Sequence, residues 1–414
     1  MELRKVGPFA LPLLLLVLSV LINYIDRGNL SIAAPLLKEE LGISPSQLGI
    51  LLSAFFWTYT ALLFVCGWFI DCFDVNRVLG LGFLLWSLAT AATGLVHGFA
   101  MLLVMRLILG IGESVAFPCY SKILAWHLPE QCRGFANGAI IAGMKCGPVV
   151  GTLGAGFLMA KYGWRPVFVG IGLLSLAWLP GWMKVMPRDA VSIHPGISPR
   201  VIDILRQRSF WATATGAFCV AYPLYFMVTW LPFYLVHEQH LSMNDMVHKA
   251  ALYYGVDAAA ALVTGLMTDF WIRRGLAASV IRKSAMALGW TTAAVGFLGC
   301  SSAGPDSYLA WLMVTGVGCG IGNSGLWAFS QTLAGPQAAG RWTGLQNGIA
   351  NFGGVIGPAL TGFIVEWTGH FQAAFAITAG VCLLGAMTWV FLVGSLKQVA
   401  WSPQAEVDLA PAPS

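Results

Sequence analysis

The sequence predicts an all-α membrane protein with twelve transmembrane helices in two six-helix halves. Three observations predict it. The 414 residues are 57% hydrophobic and only 10% charged, whereas a soluble domain carries about 25% charged residues. Apolar runs recur along the whole chain, and each is long enough to cross a bilayer as a helix of ~20 residues. One polar stretch, residues 186–208, divides those runs into six and six.

The composition also excludes classes. So few polar side chains cannot cover a soluble globule, which removes a cytosolic enzyme, a nucleic-acid binder and a disordered chain. The net charge of +5 is read as loop bias at a membrane and not as a nucleic-acid footprint. Nine scattered cysteines without a CxxC pair give neither a disulfide framework nor a zinc site. The seven histidines fall in loops or near span ends with no metal spacing, so no metal or cofactor is expected.

The spans are expected at 8–36, 47–70, 77–96, 100–125, 134–159, 164–185, 210–236, 247–270, 282–301, 306–332, 341–365 and 371–396. Lipid offers no partner for a bare backbone group, so each run is read as a helix. The ~10-residue alternation of a membrane barrel is absent. The run from Pro8 continues past Val20 with no small-x-small cleavage site, which favours a retained first span over a signal peptide.

The segments are therefore 1–185 and 209–400, the two bundles; 186–208, a cytoplasmic linker; and 401–414, a Pro/Ala-rich tail expected to be disordered. Gly67-x-x-x-Asp71 with Arg77 follows span two, and Gly265-x-x-x-Asp269 with Arg273 follows span eight. The same ordinal place in each half suggests an internal duplication. With a cytoplasmic N-terminus, sixteen basic residues lie inside, four outside and three within spans. That bias predicts a multi-pass protein of the cell (inner) membrane, with both termini cytoplasmic.

Six charges sit within spans: Asp26, Arg27, Arg106, Glu113, Lys145 and Asp257. Each costs at least ~2.5 kcal/mol at mid-membrane on insertion scales, so each needs a reason. Pairing among three cations and three carboxylates is one reason. Binding a solute is another. Arg106 and Glu113, seven residues apart, share a helix face about 10 Å apart. Asp26 and Arg27 are adjacent and point about 100° apart, so they face different partners. An arginine fork matches a carboxylate with two hydrogen bonds. A buried carboxyl resists ionisation while a nearby arginine favours it, so it can load and release a proton. Together these features suggest proton-coupled transport of an organic anion, with no enzymatic centre.

The runs NYIDRGNLSIAAP (23–35), SAFFWTYTALLFVCGWFID (53–71) and RLILGIGESVAFP (106–118) resemble the anion:cation symporters of the major facilitator superfamily. TWLPFYL (229–235), Trp327-Ala328-Phe329-Ser330 and GLQNGIANFGGVIGPALTGFI (344–364) agree. That family includes galactonate, glucarate and hexuronate symporters and, more distantly, sialin. The resemblance implies the major facilitator fold and alternating access. It implies that Arg27 holds the substrate carboxylate, that Asp26 and Glu113 carry protons, and that Arg106 couples to them. Tyr24, Tyr59 and Asn347 match cavity-lining positions that bind sugar hydroxyls; the alternative for each is a helix–helix hydrogen bond. The Gly67, Asp71, Arg77 loop departs from the family pattern, with Cys72, Asp74 and Asn76 at its Arg, Gly and basic positions.

Lys145 and Asp257 lie at similar depth in spans five and eight, which face each other across the halves in that superfamily. A cross-domain ion pair that yields Lys145 to the substrate is one expectation. A static pair, or a lysine that snorkels, is the other. Gly110 and Gly112, Gly147 and Gly151, and Gly353 and Gly357 suggest close helix packing. The expected function is proton-coupled symport of a sugar-acid-like anion by a monomer in the bilayer. A sodium-coupled or exchange carrier, or a sensor without flux, is the alternative.

Overall fold

The structure is a computed structural model that describes residues 9–128, 130–185, 199–323, 326–394, 398–399 and 401. Among them every regular element is helical. The first half holds α1 (Ala10–Leu41), α2 (Pro45–Cys72), α3 (Val75–Thr93), α4 (Phe99–Ser114), α5 (Ala116–His127), α6 (Glu130–Tyr162), α7 (Trp164–Ser175) and α8 (Trp178–Val185). After the one-turn α9 (Val201–Leu205) come α10 (Arg208–His237), α11 (Met243–Arg273), α12 (Ala278–Ser301), α13 (Tyr308–Gly322), α14 (Leu326–Thr368) and α15 (Gln372–Met387), which closes in a π turn, Thr388–Leu392.

Among the described residues ten stretches are long and apolar enough to cross a membrane. In them α4 and α5 form one span, as do α7 and α8. The more polar α12 and the 15-residue α13 complete the expected twelve. α14 continues beyond residue 332, where span ten was expected to end. Gly335, at φ 66 and ψ 173, then turns the chain into span eleven, a left-handed conformation that a side chain would resist.

Local chemistry sets the other boundaries. α1 stops where Gly42 takes φ 61 and its N–H donates to the Lys38 carbonyl, a left-handed cap. Ser44 opens α2 with a capping box to Gln47, and Pro45 sits at the first helical position. Span four breaks at Val115. Pro118 follows, and it has no N–H for the Ser114 carbonyl one turn back. The break therefore falls just beyond Glu113.

Call the end at which α1 begins the near end, and the end bearing Gly42 the far end. Within the first half α1 packs on α6, α2 on α4, and α3 on α4 and α7; within the second, α10 packs on α14, α11 on α13, and α12 on α13 and α15. The halves meet along α2 with α14, α6 with α11, and α1 with α10. Small residues allow these approaches. A methyl group on Gly49 would come within 2.6 Å of the Pro358 carbonyl oxygen and 3.0 Å of Gly362 Cα. At the far end Glu366 Oε2 accepts from the Ser46 N–H at 2.9 Å. Large apolar side chains such as Leu174, Met183, Leu262 and Phe391 point outward, as a lipid-facing surface requires.

Residues 186–198 lie outside the described residues. Pro199 accepts from Arg341 Nη1 at 2.7 Å and α9 follows, so the end of the linker is docked on the second half. At the other boundary Trp401 is anchored: its Nε1 donates to the Ala334 carbonyl at 2.9 Å, so an unfolded tail cannot start there. Residues 402–414 are outside the described residues.

Candidate functional site

Two glycines build the site from α4. A methyl group on Gly110 would sit 2.3 Å from the Phe55 carbonyl oxygen on α2. One on Gly112 would sit 2.8 Å from the Trp86 nitrogen on α3. With those two faces occupied by backbone, the next residue, Glu113, turns toward α1. There its Oε2 accepts from Arg27 Nε at 2.7 Å, with the side chains 0% and 5% exposed. The ion pair is buried and incomplete. Arg27 Nη2 and Glu113 Oε1 have no hydrogen-bond partner among the described residues.

Aromatic rings surround the guanidinium. Its carbon lies 4.5 Å from the Tyr59 ring centre, 4.9 Å from Tyr24 and 5.0 Å from Phe55, close enough for cation–π attraction. Phe55 also lies 5.3 Å from the Arg106 guanidinium, so both arginines use one ring. Arg106, two turns from Glu113 on the same helix, makes no hydrogen bond to it, and its Nε is without a partner among the described residues. Asp26 is buried; its Oδ1 accepts from Asn29 at 3.4 Å and its Oδ2 has no such partner. Adjacent positions on α1 thus face different neighbours, as a helix dictates.

The second half supplies a polar relay. Tyr225 donates to Asn351 Oδ1 at 2.7 Å, and Asn351 Nδ2 donates to the Asn347 carbonyl at 2.7 Å and to its Oδ1 at 3.2 Å. Tyr225 crosses the seam, its ring 4.3 Å from Phe56. Asn347 is therefore occupied by a helix-internal bond as well as half-exposed. The sequence reading named Asn347 but missed Tyr225 and Asn351. The signal was available for Asn351, which lies one turn after Asn347 on the same face.

Lys145 Nζ donates to Asp257 Oδ2 at 2.8 Å, across the seam of α6 and α11. Arg27, Tyr59, Glu113 and Asp257 each lie fourteen residues from the far end of their own helix. At 1.5 Å per residue they share one layer about 21 Å from that end. Gly67 and Asp71 lie in the last turns of α2, with side chains outside the described residues. Arg77 is exposed, and its backbone N–H donates to Asp74 Oδ1 at 2.9 Å. Asp74, which breaks the loop pattern, is thus the N-cap of α3.

A family model described as Major Facilitator Superfamily matches residues 16–349 and 250–411. The chain is 30% identical over 407 residues to a hexuronate transporter of Bacillus subtilis, covering 92% of this chain and 94% of that one. It is 30% identical over 408 residues to a probable L-galactonate transporter of Escherichia coli, covering 92% and 88%. Among solved structures it resembles a bacterial homologue of the human lysosomal transporter Spinster. That match has a TM-score of 0.71 and 18% identity, and covers 92% of this chain and 94% of the other.

Proposed function

The chain belongs to the major facilitator superfamily, and from that premise we propose proton-coupled symport of an organic anion of the sugar-acid type. The observation that carries the reading is the buried, half-satisfied Arg27–Glu113 pair. A carboxylate that reaches Arg27 must compete with Glu113. A proton on Glu113 removes that competition and frees the guanidinium fork for the substrate. Proton and anion then bind together better than either binds alone, which is the thermodynamic condition for symport.

The other groups have supporting roles. Arg106 offsets the negative charge of Asp26 and Glu113, and Asp26 is the second proton carrier. Tyr24, Tyr59 and the Tyr225–Asn351–Asn347 relay offer hydroxyl and amide groups to a polyhydroxy acid. The far end faces outward, since the basic residues gather at the near end. The seam at Ser46, Gly49 and Gly362 is the outer gate, and it opens as the halves rock about the central layer.

Purified protein in liposomes tests this. With the lumen made alkaline relative to the medium, a sugar-acid panel that includes a hexuronate and L-galactonate should accumulate. Collapse of the gradient should abolish accumulation. No gradient-driven uptake of any organic anion would overturn the reading.

A further inference from the structure

Lys145 and Asp257 do not enter the mechanism above, yet they occupy its central layer. Asp257 shares the depth of Arg27 and Glu113. Lys145 lies seventeen residues from the far end of α6, three further than Asp257 from its own, and its Nζ meets Asp257 Oδ2 at 2.8 Å. Gly147, two residues on, faces α1, where a methyl group would sit 2.5 Å from Tyr24 Cβ; Lys145 is turned to the other side of α6 and meets Asp257 on α11.

The second pair differs from the first in access. Its side chains are 19% and 12% exposed, against 5% and 0% for Arg27 and Glu113. A lysine has three N–H donors, and Asp257 takes one of those of Lys145. Asp257 Oδ1 is buried and has no partner among the described residues. Beside Asp257 is a cavity of about 20 Å³ lined partly by Tyr253, Tyr254, Cys319 and Asn323, room for about one water. A purely structural pair at this depth could be replaced by apolar side chains at little cost.

We propose that Lys145 is a second anion-binding group, held at the central layer by Asp257, and that the substrate is a dianion with an acidic group at each end. One acidic group takes Arg27, and the other takes the free donors of Lys145 at the seam. Asp257 is the positioning residue: it keeps the flexible lysine in the layer and remains bonded when substrate arrives. The inference rests on the anion-symport reading and narrows its substrate class.

The test compares two six-carbon acids, D-glucarate with two carboxylates and L-galactonate with one. In wild-type liposomes D-glucarate should be taken up with a KM about tenfold below that of L-galactonate, the weight of one charge-assisted contact. Lys145→Met should raise the D-glucarate KM about tenfold and the L-galactonate KM by much less, and Lys145→Arg should restore the preference. Asp257→Asn should raise the D-glucarate KM with kcat unchanged. Thermal stabilisation of detergent-solubilised wild type by D-glucarate over L-galactonate gives the same comparison without a mutant. A wild type that prefers L-galactonate, or a Lys145→Met, Asp257→Leu double variant with a normal D-glucarate KM, would overturn the dianion site and leave anion symport standing. Uptake of no organic anion at all would overturn both.

Discussion

Glu113 accepts from Arg27 through one oxygen, 2.7 Å from Nε, while its other oxygen has no partner among the described residues. A single carboxylate therefore holds the cation through one oxygen and leaves the other without a partner among the described residues. Glu113→Gln should stop gradient-driven uptake and preserve counterflow exchange, because the amide mimics the protonated acid. The expected loss is at least about tenfold, within the ~1.5–3 kcal/mol of a hydrogen bond to a charged group. Paired measurements with and without a pH gradient check it. Loss of counterflow too would contradict a proton-coupling role.

Arg27→Lys keeps the charge and removes the fork. An ammonium cannot hold both oxygens of a carboxylate in a plane or stack equally well on Tyr24, Tyr59 and Phe55. Substrate KM should rise about tenfold to a hundredfold, roughly 1.4–2.8 kcal/mol. A near-normal KM would mean that Arg27 acts as a point charge only.

Gly110→Ala places a methyl group 2.3 Å from the Phe55 carbonyl oxygen and 2.3 Å from Thr58 Oγ1. Helices α2 and α4 must then part, at a cost of about 1–3 kcal/mol for overpacking. The change should lower Tm and weaken transport, because Glu113 and Tyr59 move apart. Gly138→Ala, which would meet nothing within 4 Å, is the control and should leave Tm unchanged.

Paired cysteines at Ser46 and Glu366 test the proposed outer gate. The two positions face each other through a 2.9 Å hydrogen bond at the far end. A short bismaleimide linker between them should form readily in the empty protein and block uptake. Uptake that survives complete cross-linking would show that this seam does not open during transport.

Much of the fold was legible because hydrocarbon imposes a simple rule. A spanning backbone must satisfy itself, so apolar runs become helices whatever packs around them. Asp26, Arg27, Arg106, Glu113, Lys145 and Asp257 stood out for the same reason, since a charge in lipid is conspicuous. Tyr225 and Asn351 did not, because polar neutral residues are ordinary in membrane helices. The break in span four, just beyond Glu113, was written in Pro118, but the pairing of Glu113 with Arg27 was visible only in three dimensions.

The amino-acid sequence by itself determined the class, the number and order of spans, the division into halves and the short list of charges. Tertiary structure alone decided the partners. Helical spacing puts Arg106 two turns from Glu113, and it is Arg27 from another helix that pairs with Glu113 at 2.7 Å, where Gly110 and Gly112 let α2 and α3 pack against two faces of α4. Lys145 and Asp257 lie 112 positions apart, and only the meeting of α6 with α11 brings them to 2.8 Å. Periodicity specifies which face of a helix a residue occupies. Which neighbour covers that face depends on how all the spans pack together.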